Sequence, residues 1–355
     1  MGVGRRPGGA VAVRDPGGER DKPDLAEGPG GGFVDGGDRR ARPDRVTPMT
    51  RVAAIDCGTN SIRLLVADLP AAGSDAPLTD VVRRMEIVRL GQGVDRTGRL
   101  APEAIERTRV ALASYAAELR SLDAARVRMC ATSATRDAAN AGDFRAMVVD
   151  TLGVEPEVVS GDEEARLSFT GAVRGLTAEP PYLVVDIGGG STEFVVGGST
   201  VDSAISVDIG CVRMTERHLH GDPPAPAEID AATGDITAMV DRALAAVPGR
   251  DARTLVGLAG SVTTVAAIAL GLTGYDPARI HHAVVSYDEV AKVTSDLLAM
   301  PTARRMEIPV MHPGRVDVIG AGALVLRVIM ERAAMPAVVA SEHDILDGIA
   351  WSVAA

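Results

Sequence analysis

Short apolar runs separated by polar, glycine-bearing turns dominate the chain, and helical repeats of apolar positions fill the gaps between them. The run Val-Val-Asp-Ile from Val184 is followed by Gly188-Gly189-Gly190-Ser191-Thr192-Glu193 and then by Phe-Val-Val-Gly to Gly197, a pattern that predicts strand, tight turn, strand. The same pattern spans Arg51 to Asp68, where Asp56, Gly58 and Ser61 stand at the offsets of Asp186, Gly188 and Ser191, 130 residues earlier. Further strands are expected at Val81–Leu90, Val127–Ala131, Val154–Ser160, from Leu255 and at Val338–Ser341. A period of 3.6 predicts helices from Pro102, over Asp143–Leu152, after Ser160, over Arg213–His220 and Ala227–Val247, towards Leu270, over Asp317–Met330 and over Asp344–Trp351. Gly320 and Gly322 within one of these would let another helix approach closely.

Composition narrows the class. With 355 residues and 46% apolar content the chain can form one large or two medium cores, and with 3% aromatics those cores rest on Ala, Val, Leu and Ile. Residues 1–48 are rich in Gly, Pro, Arg and Asp and nearly lack large apolar side chains, which predicts disorder; because the apolar pattern starts just after Met49, that residue is a candidate for the biological start. A net charge of −11 argues against nucleic-acid or anionic-membrane partners. The three scattered cysteines, Cys57, Cys130 and Cys211, fit a reducing compartment, and with neither a membrane-length apolar run nor a secretory signal core the expected location is the cytoplasm.

The candidate chemistry sits at the turns. Glycines allow sharp turning and bring bare N–H groups up to a ligand, and a ring of such groups favours an anion. Asp186 and Glu193, at the two mouths of the second turn, could hold a hard cation against it. A plain hairpin with a glycine loop is the alternative for one such turn; two with matched offsets suggest two related lobes gripping phosphate oxygens and a divalent metal between them. Thr132-Ser-Ala-Thr-Arg136, at a strand end, offers hydroxyls and a guanidinium for phosphate, the alternative for Arg136 being a surface ion pair. Ser160-Gly-Asp-Glu-Glu164 is a helix start whose acids either complement the helix dipole or deprotonate an attacking water. His218 and His220 are expected at the surface, and His281 and His282 in core or surface roles.

Taken in order, Asp56-x-Gly-Thr-Asn-Ser61, Ala131-Thr-Ser-Ala-Thr-Arg136, Ser160-Gly-Asp-Glu-Glu-Ala-Arg-Leu167, Asp186-Ile-Gly-Gly-Gly-Ser-Thr-Glu193 and Gly257-Leu-Ala-Gly-Ser261 resemble the exopolyphosphatase and guanosine pentaphosphate phosphohydrolase family, especially its short two-domain actinobacterial members. The resemblance implies an α/β fold of two actin-like (ribonuclease H-like) domains with a phosphate-binding cleft between them. Residues 49–162 would form the first, with 336–355 packing back on it, and 163–335 the second. It implies Glu164 as general base, Arg136 as the cation facing the phosphoryl group, and Asp56, Asp186 and Glu193 as ligands of Mg2+ or another divalent cation. Gly58, Thr59, Asn60 and Ser61 would form one phosphate loop and Gly188, Gly189, Gly190, Ser191 and Thr192 the other.

The implied activity is release of the terminal phosphate of inorganic polyphosphate. Guanosine pentaphosphate or another nucleotide polyphosphate is the alternative substrate, and a non-hydrolysing nucleotide sensor the alternative of another class. The family's larger members add C-terminal domains that grip long chains; this chain ends without them, so short chains are expected unless a homodimer, the expected assembly, extends the groove.

Overall fold

The computed structural model describes residues 50–353 apart from 72, 73, 75 and 125; the expectations for residues 1–48 and Met49 lie outside the described residues. Two sheets organise it. In the first, β1 (Thr50–Cys57), β2 (Ser61–Leu69), β3 (Thr79–Ile87), β4 (Arg126–Ala131) and β5 (Glu157–Val158) lie in the order β3-β2-β1-β4-β5. In the second, β6 (Tyr182–Ile187), β7 (Thr192–Gly197), β8 (Val201–Val207), β9 (Thr254–Leu258), β10 (Val284–Ser286) and β11 (Ala337–Ala340) lie in the order β10-β11-β9-β6-β7-β8. Each sheet is built on an antiparallel three-strand meander whose first strand pairs in parallel with a strand from much later in the chain, β1 with β4 and β6 with β9. The sequence repeat is therefore a repeat of topology.

The central strands, such as β1 and β6, are apolar on both faces because both are covered. In β1, Ala53, Ile55 and Cys57 enter a core with Leu112, Tyr115 and Phe144, while Val52 and Ala54 point the other way, against Ile345, Leu346, Ile349 and Ala350. In β6, Leu183, Val185 and Ile187 join the large core under the helices of the second lobe, and Val184 faces Ala165 and Phe169. The last helix, Ile345–Ser352, thus covers the first sheet although it follows β11 of the second. It crosses helix Gly161–Val173 at backbone distance: a Cβ on Gly171 would stand 1.9 Å from the Asp344 carbonyl oxygen, and one on Gly348 2.0 Å from that of Leu167.

Helix starts follow local chemistry. Pro102 and Pro226 open the two longest helices, where a missing N–H costs nothing, and the Ser160 hydroxyl accepts the Glu163 N–H to cap Gly161–Val173. The strand expected over Val154–Ser160 shrinks to the two residues of β5, since Pro156 has no N–H to give to a ladder. The helix expected from Asp317 starts at Ile319, after a 3-10 turn at Pro313–Arg315, and its Gly322 does admit a close neighbour, the Ser261 side chain. His218 is half-buried and paired with Asp235 rather than free at the surface. No helix among the described residues is long and apolar enough to cross a membrane.

Candidate functional site

The two aspartate turns face each other across a cleft of about 90 Å3. Each closes the same way, with Gly58 N–H donating to the Ser61 carbonyl (2.9 Å) and Gly188 N–H to that of Ser191 (3.0 Å). The outward carbonyls are spoken for: Val88 and Arg89 donate to Asn60, Gly91 to Thr59, Cys211 to Gly188, and Val212 and Arg213 to Gly189. The N–H groups of Thr59, Asn60, Gly189, Gly190 and Ser191 have no acceptor among the described residues. Two loops whose carbonyls are turned away and whose N–H groups are free form a concavity of partial positive charge suited to an anion. The loops nearly touch. A Cβ on Gly189 would lie 2.8 Å from the Thr59 Cβ, and one on Gly190 2.9 Å from the Ser133 and Thr59 hydroxyls, which themselves lie 2.9 Å apart. Only glycine fits there.

Carboxylates gather around this concavity. Asp56, Glu164 and Asp186 line the cleft, each less than a tenth exposed, and Glu193 stands directly across the ladder from Asp186. All four are pushed above the ordinary carboxylate range, first by burial. Asp186 reaches about 7, with Glu193 and Asp344 adding repulsion against the Ser168 hydroxyl (2.6 Å) and Arg63. Glu164 is raised well above its usual value by burial and by Glu193, partly offset by Arg136, whose Nη1 donates to its Oε2 at 3.0 Å. Glu193 Oε1 accepts from the hydroxyls of Ser191 and Ser206, both at 2.8 Å.

Ten of the fourteen sequence candidates line this cleft, and four stand behind it: Arg136, Gly190, Thr192 and Glu193. Arg136 is engaged with Glu164 and the Val159 carbonyl, and the buried Thr192 hydroxyl donates to Ile209 at 2.6 Å, so these two support the site from outside the lining. Two arginines that sequence reasoning passed over do line it. Arg63 donates to Asp56 Oδ2 through Nε and Nη2 (3.0 and 2.7 Å) and to Asp344 through Nη1. Its signal was available: it follows Asp56 by seven residues, as Glu193 follows Asp186, and occupies the same register across its hairpin. Arg315 lies over Gly260, where a Cβ would fall 2.2 Å from its Cζ, and has no carboxylate partner among the described residues. Only the His-Pro-Gly turn before it hinted at an exposed position. Past Arg63, Gly260 and Arg315 the cleft continues into a larger pocket of about 430 Å3, walled by Tyr275, Met311 and His312 and by Arg83 and Arg84.

A model for the Ppx/GppA phosphatase family matches residues 66–354. The chain belongs to the Ppx/GppA phosphatase family. It is a hydrolase, and the two sheets are the two actin-like α/β domains expected. Among its relatives is exopolyphosphatase 2 of Mycobacterium tuberculosis, 52% identical over 316 residues that cover 86% of this chain and 99% of that protein. The crystal structure of an exopolyphosphatase-like protein superposes with a TM-score of 0.82 at 42% identity, covering 86% of this chain and 98% of that one. The Aquifex aeolicus member of the family gives 0.73 at 31%, covering 86% and 97%.

Among the described residues no three His, Cys, Asp or Glu side chains form a cage that could hold a metal by themselves. The donor set still fits a magnesium-like ion, which takes one or two carboxylates and completes its shell with water and substrate phosphate. Asp56 Oδ1 is buried with no partner among the described residues, and the mutual repulsion of the raised carboxylates is what a divalent cation relieves.

Proposed function

We propose that this hydrolase is an exopolyphosphatase that releases orthophosphate from the end of short inorganic polyphosphate chains. The observation that carries the reading is the meeting of five backbone N–H groups that have no acceptor among the described residues with a ring of buried, destabilised carboxylates. A terminal phosphate would lie against the two glycine loops, with Arg315 meeting the negative charge of the next phosphates and Arg63 holding Asp56 and Asp344 in place. Asp56 and Asp186 would hold Mg2+ or another divalent cation, with Glu193 behind Asp186; the ion would supply charge neutralisation for the phosphoryl oxygens. Glu164 takes a proton from water, the water oxygen bonds to the terminal phosphorus, the bridging P–O bond breaks, and the shortened chain leaves with that bond's electrons. Arg136 holds the Glu164 carboxylate in place and keeps its basicity from rising further. Short chains are favoured because the cleft between the loops is small, about 90 Å3.

Guanosine pentaphosphate is a second reading, supported by the adjoining 430 Å3 pocket, whose aromatic, apolar and arginine walls suit a nucleoside carrying phosphates. Phosphate release from short polyphosphate, guanosine pentaphosphate and ATP, measured in parallel, tests both. The exopolyphosphatase reading requires the highest kcat/KM on polyphosphate, and nucleotide binding without phosphate release from any of the three would replace it with the sensor reading. A homodimer belongs to the same proposal, and sedimentation equilibrium would register it as twice the chain mass.

A further inference from the structure

The second phosphate loop is tied to the first lobe by one side chain. Arg213, in helix Cys211–His218, is about an eighth exposed and uses three of its nitrogens at once. Its Nε donates to the Gly190 carbonyl at 2.7 Å, its Nη1 to Asp95, and its Nη2 to Asp137 at 2.6 Å. Gly190 belongs to the second lobe. Asp95 and Asp137 belong to the first, and Asp137 directly follows the short helix Ser133–Arg136 that presents the Ser133 hydroxyl to the loop contact and Arg136 to Glu164. One planar guanidinium therefore joins the glycine loop to the segment that holds the candidate base.

The surroundings reinforce the tie. Arg217, one turn on, donates to Asp95 at 2.9 Å and to Asp235 within its own lobe at 2.8 Å. Between them, at Glu216, the carboxylate accepts the Gly93 N–H through both oxygens at 3.1 Å. These bonds sit beside the place where Gly189 and Gly190 meet Thr59 and Ser133 with no room for a methyl group, so a small rotation of one lobe would open the loop contact and break the arginine's bonds together.

We propose that Arg213 is a positioning residue that latches Gly190 to Asp95 and Asp137 and so sets the gap between the two phosphate loops. The inference rests on the phosphatase reading of the site for its kinetic consequence, but the latch itself is a statement about lobe spacing. A guanidinium fork can meet three acceptors in one plane; a lysine ammonium cannot reach them together. Misplacing a reacting group by about 1 Å can cost on the order of 100-fold in rate.

The test compares wild type with Arg213→Gln, Arg213→Lys, the pair Asp95→Asn with Asp137→Asn, and, as a control confined to the second lobe, Asp241→Asn, whose partner is Arg332. Steady-state phosphate release and thermal unfolding are measured on each, with small-angle scattering of the full chain. Arg213→Gln and the double variant should lower kcat about 10- to 100-fold with KM changed less than about threefold, and should increase the radius of gyration. Arg213→Lys should fall between, and Asp241→Asn should stay within about twofold of wild type. A wild type without phosphatase activity defeats the reading of the site and leaves scattering to decide the latch. An unchanged radius of gyration in Arg213→Gln and in the double variant overturns the proposal, as does a kcat loss no larger than the loss of folded protein.

Discussion

Glu164→Gln separates catalysis from stability in a way few substitutions can. The glutamine keeps the shape of the side chain and an oxygen for the Arg136 Nη1 that now lies 3.0 Å from Oε2, so the positioning contact survives. The proton-accepting capacity is lost, and a general base contributes roughly 10²- to 10⁴-fold, which at 1.36 kcal/mol per decade is about 2.7 to 5.4 kcal/mol of barrier. Stability should move the other way. Burial is the largest influence on Glu164, followed by the charge of Glu193, and together they overcome Arg136 and raise its pKa well above the usual value. A carboxyl whose folded pKa is raised binds its proton more tightly in the folded state. The fold is then penalised progressively as pH rises from the unfolded value of about 4.3 to the folded one, and the penalty is complete above that. Neutral glutamine never incurs it.

The measurements are kcat and KM on short polyphosphate by phosphate release, and the thermal midpoint in chelator at pH 5 and pH 8. The expected result is a kcat at least about 100-fold lower, KM within a few-fold, and a midpoint at pH 8 equal to or above that of wild type. The wild-type kcat/KM should also fall on the acid side through a pKa above the ordinary glutamate value, because the base must be deprotonated to act. Near-normal turnover in the variant would remove Glu164 from the mechanism. A large drop in midpoint would refute the account of its burial.

Three further outcomes are expected. Mg2+ should raise the thermal midpoint of the wild type, by the equivalent of about 2.7 kcal/mol at 100 times Kd, and Asp186→Asn should abolish most of that shift; an undiminished shift in the variant would move the ion elsewhere. Gly189→Ala puts a methyl group 2.8 Å from the Thr59 Cβ and must push the loops apart, so kcat should fall at least about tenfold while the fold remains, as circular dichroism would register. For Asp344, burial is outweighed by the charge of Arg63, the Leu346 N–H and Arg83, so its pKa is lowered. Its contribution to stability is present above the unfolded value of about 3.9 and is lost as pH falls through the lower folded value, so the denaturant midpoint of Asp344→Asn should lie below wild type at pH 7 and the difference should shrink as pH falls below the unfolded value.

Strand and helix order was largely legible because the central strands are covered on two faces, which writes them as unbroken apolar runs bounded by glycine turns. Asp56, Asp186 and the two loops were legible because the repeat fixes their offsets. What escaped was whatever depends on which side chain reaches furthest. Thr192 fits the loop motif, yet as the first residue of β7 its hydroxyl turns inward to Ile209. Arg136 matches a phosphate-facing position, yet Glu164 and the Val159 carbonyl engage its head group. Arg315 reaches the cleft from a loop almost 130 residues after the second aspartate, with no periodic signal to mark it.

The repeat itself held more than its matched positions disclosed, because its informative site is the one where the two halves differ. Seven residues after the aspartate, the second hairpin carries Glu193 and the first carries Arg63, each directly across the ladder from its aspartate. In the second lobe this pairs two acids, and burial first, with the charge of Glu193 second, pushes Asp186 up to about 7; in the first it pairs acid with base, and Asp56 Oδ2 is occupied while Oδ1 has no partner among the described residues. A symmetric pair of acid–acid hairpins would set four buried negative charges face to face, and a symmetric pair of acid–base hairpins would neutralise the site without a cation. One of each leaves a net negative charge, which supports the proposed divalent ion between Asp186 and the Oδ1 of Asp56, with Arg63 holding the other oxygen of Asp56. That division of labour makes Arg63→Glu the harshest test of the asymmetry: it should abolish phosphate release while strengthening divalent-ion binding by thermal shift, and weaker ion binding would show that the two hairpins do not act on a common charge.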